Sequence, residues 1–470
     1  MNGIGSDGLF GSLFGRGQAG TGDQAWLQAM LDTEAALARA LERAGLAAPG
    51  SGAQVSAAAR ADRFDPAELG RQAARAGNPV PALARALAGM LPPGPAAAVH
   101  RGATSQDIID TAAMLLASRV LAAAEQDLAS AAAAAAALAS GQAGTVMIGR
   151  TLLQQAVPVT FGLVAAGWLT AIDEARGGLA RVARERLAVQ FGGAAGTLAS
   201  LGPDGPRVAG LLAAELGLAE PVLPWHTSRL RVIELAAALA GTCAALGKIA
   251  RDVTLLAQSE VAEVSEGPVG ESGAQGIRRG GSSTMPHKRN PVAAVVIVGC
   301  ARQAPGLLAT LTAAGEQELQ RAAGGWHAEW QPLTALLGLT GSAASWAAEL
   351  LGGLAPDPAR MRANLDAARG LPLAERVAAL LAPALGQAAA HDAVARAARA
   401  AADSGRPLRD ELLGPDGPGP QLAASGIGPA ELDAALDPAG YLGGCGRFVA
   451  RALAAHQRYQ RDGKMDEAGR

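Results

Sequence analysis

Apolar residues recur along this chain at the three-to-four-residue spacing of helices, in long runs. From Trp26 onward, Leu27, Met30, Leu31, Ala35, Leu37 and Leu41 form one stripe with charged residues between them. Gly45 closes the run, which predicts an amphipathic helix over residues 26–46. Short helical pieces follow as far as the Leu91-Pro92-Pro93-Gly94-Pro95 break. Beyond it the pattern predicts five long helices, over residues 105–140, 158–189, 228–263, 291–313 and 328–351. The second opens with Pro158 near its first turn, and the fourth is entered through Asn290 as N-cap and Pro291 at the first helical position. Long antiparallel helices joined by short connections build an elongated bundle. After Pro356 the helices shorten and turns multiply, as in Gly414-Pro415-Asp416-Gly417-Pro418-Gly419-Pro420. The expected organisation is an N-terminal helical domain (1–104), a central long-helix bundle (105–355) and a small C-terminal helical domain (356–470), with no fixed-period repeat.

Composition sharpens this to an all-α fold. Of the 470 residues 50% are hydrophobic but only 3% aromatic, and the strong helix formers alanine and leucine dominate. Clusters of strand-forming residues are almost absent. The formal charge of -2, without a long run of one sign, leaves no electrostatic footprint for nucleic acid or an anionic membrane. The bland segment 131–139 is far too short to span a bilayer, and other apolar stretches are interrupted by polar residues. Cys243, Cys300 and Cys445 are widely separated and the first twenty residues carry no signal-peptide pattern, so a reducing cytoplasm is expected. No His/Cys/Asp/Glu spacing suggests a metal, and no glycine-rich loop follows a strand, so no cofactor is expected.

Three polar islands interrupt the helical background, each at a helix end. The first is His100-Arg101-Gly102-Ala103-Thr104-Ser105-Gln106-Asp107. Its hydroxyls and the free N–H groups of the following helix make an anion seat, unless Thr104 and Ser105 serve only as caps. Asp107 and Asp110 lie in the first turns, where acidic groups suit the helix dipole. The second is Gly149-Arg150-Thr151-Leu152-Leu153-Gln154-Gln155. Arg150 could take a carboxylate bidentately beside Thr151 and the two amides, or Gln154 and Gln155 could simply satisfy buried backbone.

The third island is Gly281-Ser282-Ser283-Thr284-Met285-Pro286-His287-Lys288-Arg289-Asn290-Pro291, approached through Gly273, Gly276 and Gly280. A permissive approach and a rigid exit suit a lid that closes over a ligand. Lys288 stands out because basic residues are overwhelmingly arginine here, with lysine only at Lys248, Lys288 and Lys464. A compact ammonium differs from a guanidinium in geometry and hydration, so this position reads as needing a point charge rather than as a solvated basic turn. Among the histidines, His100 opens the first island beside its anion seat and is a candidate for substrate contact or for a purely structural role. His226, in Trp225-His226-Thr227-Ser228-Arg229, could cap a helix or touch substrate, and Arg229 shares that candidacy. His327 reads as packed and hydrogen-bonded, His391 and His456 as ordinary surface residues.

The islands, in this order and on this background, resemble the fumarase/aspartase superfamily, whose signature GSSxMPxKxNP is matched completely at residues 281–291. GATSQDIIDT (102–111), GRTLLQQAVPVTFG (149–162), QFGGAAGT (190–197), PWHTSR (224–229), GGWHAEW (324–330) and DPAGYLG (437–443) extend the likeness over nearly the whole chain. They are most similar to the branch of 3-carboxy-cis,cis-muconate cycloisomerases. The resemblance implies that Ser282 exchanges a proton with the carbon α to a carboxylate, and that Lys288 and Asn290 hold that carboxylate. Ser283 and Met285 belong to the same substrate-binding loop. Thr104 and Ser105 match the first carboxylate-binding loop, and Thr151 with Gln154 or Gln155 the second, next to Arg150. It implies a homotetramer with active sites shared between subunits, a small polycarboxylate substrate and no cofactor. It also implies a three-domain order that matches the regions above.

A carbon acid beside a carboxylate ionises only when cationic and N–H donors stabilise the charge. A serine on a water-excluding lid, with Lys288 nearby, fits that need. Fumarases and many amide-releasing lyases have a histidine where this chain has Leu152. A leaving amine or hydroxide benefits from protonation, whereas a lactone carboxylate does not. The expected activity is therefore closure of 3-carboxymuconate to its lactone. A superfamily lyase acting on nitrosuccinate, or on adenylosuccinate, is the alternative. A non-catalytic homologue would have no need of an intact Ser282, Lys288 and Asn290. Arg101, Leu230 and Leu319 are further departures from the cycloisomerase pattern.

Overall fold

The computed structural model describes residues 9–17, 20–267, 280–281, 284–285, 287–415, 417–424 and 426–468. The architecture is helical, as expected. The first stripe forms α1 (Asp23–Arg43), followed by five long helices: α2 (Ser105–Gly141), α3 (Phe161–Glu185), α4 (Leu230–Leu256), α5 (Val292–Ala313) and α6 (Gly325–Gly352). In α2, Ala131, Ala132, Ala135 and Ala139 are wholly buried, so the bland alanine run is a close-packing face.

The chain divides into two compact units. One comprises Met1–Ala131, Glu174–Arg251 and Val292–Leu350; the other comprises Ala132–Asp173, Asp252–Pro291 and Leu351–Arg470. Four of the five long helices (α2, α3, α4 and α6) contribute residues to both. The second unit contains an apolar cluster built from the short C-terminal helices, including Val377, Leu381, Val394, Leu408, Leu412, Leu422 and Leu432. His456, expected at the surface, is buried there, with Nδ1 2.8 Å from Asp173 Oδ2. A charged partner on the facing element makes that burial tolerable.

Two expectations change. Residues 158–189 do not form one proline-started helix. The strand β1 (Val146–Thr151) pairs antiparallel with β2 (Gln154–Thr160), Pro158 lies opposite Ile148, and α3 begins only at Phe161. Val157 and Val159 favour a pleated segment, and a two-stranded ribbon has free edges where proline's missing donor is harmless. Thr160 then accepts a hydrogen bond from Leu163 N–H at 3.1 Å, opening the helix. Gly149 allows the close approach: a Cβ there would sit 2.7 Å from the Val157 carbonyl oxygen. A second small ribbon joins β3 (Val264–Glu266) to β4 (Leu354–Pro356). The apolar runs also extend further than expected, since α4 and α5 are each long and apolar enough to cross a membrane.

The β1–β2 turn has unusual chemistry. Thr151 pairs with Gln154, so the turn consists of Leu152 and Leu153, with φ of 50° and 64°. Two-residue hairpins favour this left-handed geometry, but with Asn-Gly rather than bulky side chains. Both leucines are also exposed, Leu152 at 96%. Replacing Leu152-Leu153 by Asn-Gly should relieve the strain and raise unfolding stability by about 1–3 kcal/mol, read from urea midpoints. An unchanged or lower midpoint would show that the leucines are stabilised by contacts elsewhere.

Candidate active site

The first island belongs to the first unit and the second and third to the other. In the first, His100 (φ 57°) and Gly102 (φ 81°) turn the chain tightly, with Ala103 N–H donating to the His100 carbonyl at 3.3 Å. Glycine is required at 102, because a Cβ would lie 2.6 Å from Leu201 Cδ1. Ser105 opens α2. Thr104 and Ser105 are half-buried, and neither hydroxyl has a hydrogen-bond partner among the described residues.

What holds this loop is Asp107. Its Oδ2 accepts from Thr104 N–H (3.0 Å) and Gly193 N–H (2.9 Å), and its Oδ1 from Gly192 N–H (3.0 Å). The ring Nε2 of buried His226 lies 2.7 Å from the same Oδ1. Thus the loop, the glycine turn at 192–193 and the segment before α4 converge on one carboxylate. In sequence Asp107 is an acidic residue suited to a helix dipole; its burial comes from the fold.

Beside Asp107, Gln106 donates to Asp110 Oδ2 (3.1 Å) and to the His226 carbonyl (2.8 Å), and accepts from Arg321 (2.8 Å). Asp110 and Glu329 share Arg229. The guanidinium donates to both Asp110 oxygens at 2.8 and 3.0 Å and to both Glu329 oxygens at 2.9 and 2.6 Å. It also stacks 4.8 Å over the Trp225 ring. Arg229, a candidate substrate contact by sequence, is therefore buried with its donors spent on protein carboxylates. Burial pushes the Glu329 carboxyl up from its usual range, against the pull of Arg229. Trp326 Nε1 completes Asp110 at 3.0 Å. His327 is hydrogen-bonded to the Gly77 carbonyl (3.1 Å) and packs on Trp330, though it is exposed.

In the second island Arg150 does take a carboxylate bidentately, but it is that of buried Glu263, at 2.8 Å on both arms. Asn364 Nδ2 donates to the same group at 2.9 Å. A guanidinium so engaged anchors the hairpin. Cross-strand partners share a face, so the register sets Gln154 beside Thr151 and Gln155 beside Arg150. Thr151, Gln154 and Gln155 are all exposed, around the Leu152-Leu153 tip.

In the third island Gly281 bridges to Arg289, and Asn290 donates to the Gly280 carbonyl through both its backbone N–H and its side-chain amide, each at 3.0 Å. Asn290 thus clamps the loop's two ends, with α5 starting at Val292. Gly280 is left-handed (φ 75°), and a Cβ there would meet the Asn290 carbonyl oxygen at 2.1 Å. Lys288 and Met285 are exposed. Ser282 and Ser283 lie outside the described residues. Leu230 and Leu319 are exposed, Leu319 in a left-handed conformation with its carbonyl accepting from Thr227 at 2.8 Å. Arg101 is exposed and donates to the Leu46 carbonyl.

The chain is similar to known lyases over most of its length. A family model described as lyase matches residues 20–306, and one described as adenylosuccinate lyase C-terminus matches residues 370–452. The chain is 46% identical to a 3-carboxy-cis,cis-muconate cycloisomerase of Pseudomonas aeruginosa, over 92% of this chain and 93% of the relative. It is 44% identical to a nitrosuccinate lyase of Streptomyces davaonensis, over 94% and 93% respectively. The crystal structure of the 3-carboxy-cis,cis-muconate lactonizing enzyme from Pseudomonas putida superposes with a TM-score of 0.87 at 41% identity, covering 96% of this chain and 99% of that one.

The Arg229 cluster yields a pH-dependent expectation. Arg229→Leu leaves two buried carboxylates without their cation, at a cost of about 3–5 kcal/mol near neutral pH. Without Arg229 the Glu329 carboxyl loses the pull that opposes its burial and its folded pKa stands further above the unfolded one, so stability is lost as pH rises. The deficit in urea midpoint should accordingly shrink on moving from about pH 8 to about pH 5. A pH-independent deficit would count against the charge account.

Proposed function

This chain belongs to the fumarase/aspartase superfamily of lyases, and on that premise we propose that it closes 3-carboxy-cis,cis-muconate to 4-carboxymuconolactone. One substrate carboxylate oxygen adds to the diene, and the electron pair moves onto the carbon α to a second carboxylate. Ser282 supplies the proton to that carbon, and removes it in the reverse direction. Lys288 and Asn290 hold the α-carboxylate, with Ser283 and Met285 lining the same loop. Thr104 and Ser105, and Thr151 with Gln154 or Gln155, receive the remaining carboxylates as neutral donors.

The observation that carries this reading is the apolar hairpin tip. Leu152 and Leu153 occupy the exposed turn between Thr151 and Gln154 and offer no acid. A carboxylate is a weak base and leaves a lactone without being protonated, whereas an amine or hydroxide would need a donor. Nitrite is also a weak base, and the relative named nitrosuccinate lyase keeps that second reading in play. The enzyme is read as a cytoplasmic homotetramer working without a cofactor. In support of assembly, only 33% of the most apolar stretch of α5 is buried within one chain, and Val295 on it is 55% exposed. Packing against other copies would cover such a surface.

Purified protein should consume 3-carboxymuconate, seen as loss of the diene's ultraviolet absorbance, faster than it consumes nitrosuccinate or adenylosuccinate. Preference for nitrosuccinate would transfer the assignment to the lyase. Ser282→Ala should lower turnover by at least about a hundredfold while sedimentation still reports a tetramer. Near-normal activity would move the proton-transfer role to another residue.

A further inference from the structure

His100, four residues before the first island's Thr104, is held in a left-handed conformation that histidine rarely adopts. Both oxygens of one carboxylate close on it. Oε2 of Glu34, on α1, accepts the His100 backbone N–H at 2.8 Å, and Oε1 lies 2.7 Å from Nδ1. The Glu34 side chain is wholly buried, while a quarter of the His100 side chain is exposed. With Nδ1 taken, Nε2 is the ring's remaining polar atom, and it has no hydrogen-bond partner among the described residues. Burial disfavours the charged ring. The hydrogen bond and charge of Glu34, aided by the charge of Asp107 on α2, overcome that and raise the His100 pKa above its ordinary value. Adjacent Arg101 turns its guanidinium to the Leu46 carbonyl.

We propose that Glu34 is a positioning residue that holds His100 as an imidazolium donor for one substrate carboxylate at the first island. This rests on the polycarboxylate reading above. With the Arg101 guanidinium turned to the Leu46 carbonyl, the island otherwise offers neutral hydroxyls and backbone N–H groups, and a trianion gains from a further cation there. A bare histidine in this setting would be neutral for much of the physiological range; the buried carboxylate keeps it charged. Affinity should then fall as pH rises through the raised His100 pKa.

The test uses tricarballylate, a saturated tricarboxylate, as a calorimetric probe with the full-length protein from about pH 6 to about pH 9. Wild-type affinity should weaken with rising pH. His100→Asn tolerates the left-handed backbone but cannot titrate; it should bind about ten- to a hundredfold more weakly at the acidic end and lose the pH limb. Glu34→Gln should move the limb to lower pH, together with the His100 ring-proton titration followed by NMR. If Glu34→Gln does not fold, the wild-type titration and His100→Asn decide alone. An unchanged pH profile in His100→Asn, or a wild-type ring titrating at or below the ordinary histidine value, overturns the proposal. His100-dependent tricarballylate binding without turnover of 3-carboxymuconate supports it while removing the cycloisomerase assignment.

Discussion

The carboxylate of Asp107 is the constraint on which the first loop depends. Three backbone N–H groups and one imidazole nitrogen converge on its two oxygens, from Thr104, Gly192, Gly193 and His226. A buried carboxylate is tolerable only when so supplied, and its donors come from three separate stretches of chain. The requirement runs both ways. The carboxylate needs these donors, and the donors' segments have no alternative partner for their N–H groups at that depth. Gly192 adds a steric demand, since a Cβ there would meet His226 Cε1 at 2.8 Å. The loop is thus placed by satisfying buried acceptors, Asp107 at its end and Glu34 at its start.

Charge elsewhere is used in the same way. Arg229 is divided between Asp110 and Glu329, Arg150 is spent on Glu263, and Arg321 ties Gln106 to the Ala194 carbonyl at 2.9 Å. Guanidinium groups, with five donors in a rigid fork, suit such structural work. Lysine, scarce in this chain, is left exposed on the third island instead. The division separates cations that build the scaffold from one that stays free of the bidentate pairs seen elsewhere.

The long helices were legible because their apolar period persists for many turns, and α2 and α6 fall within a few residues of the expected bounds. The hairpin was not. Pro158 looked like a helix start, and Leu152-Leu153 carries none of the Asn or Gly that marks a tight turn. In the sites, Lys288 showed itself through composition and the three islands through polarity. Glu34, Glu263 and Glu329 left no such trace. Each sits in a helical or ordinary stretch, and its importance comes from a partner 66, 113 or 100 residues away. Arg150 and Arg229 were seen as cations, but only the fold reveals that their carboxylates are internal.

The Arg150–Glu263–Asn364 latch has a consequence for how the molecule is made. The β1–β2 ribbon can close soon after it leaves the ribosome, because its turn has only two residues. Its anchor is completed by Asn364, whose synthesis trails that of Arg150 by roughly ten to forty seconds at ordinary elongation rates. Until Glu263 follows, the nascent chain carries a strained, apolar tip on an untethered ribbon, and until Asn364 follows the latch lacks its amide donor. Such a feature is what holdase chaperones recognise. Later stretches of the chain thus act as the fastener for a loop translated in the first third, and termination before Glu263 would leave that loop made but unmoored.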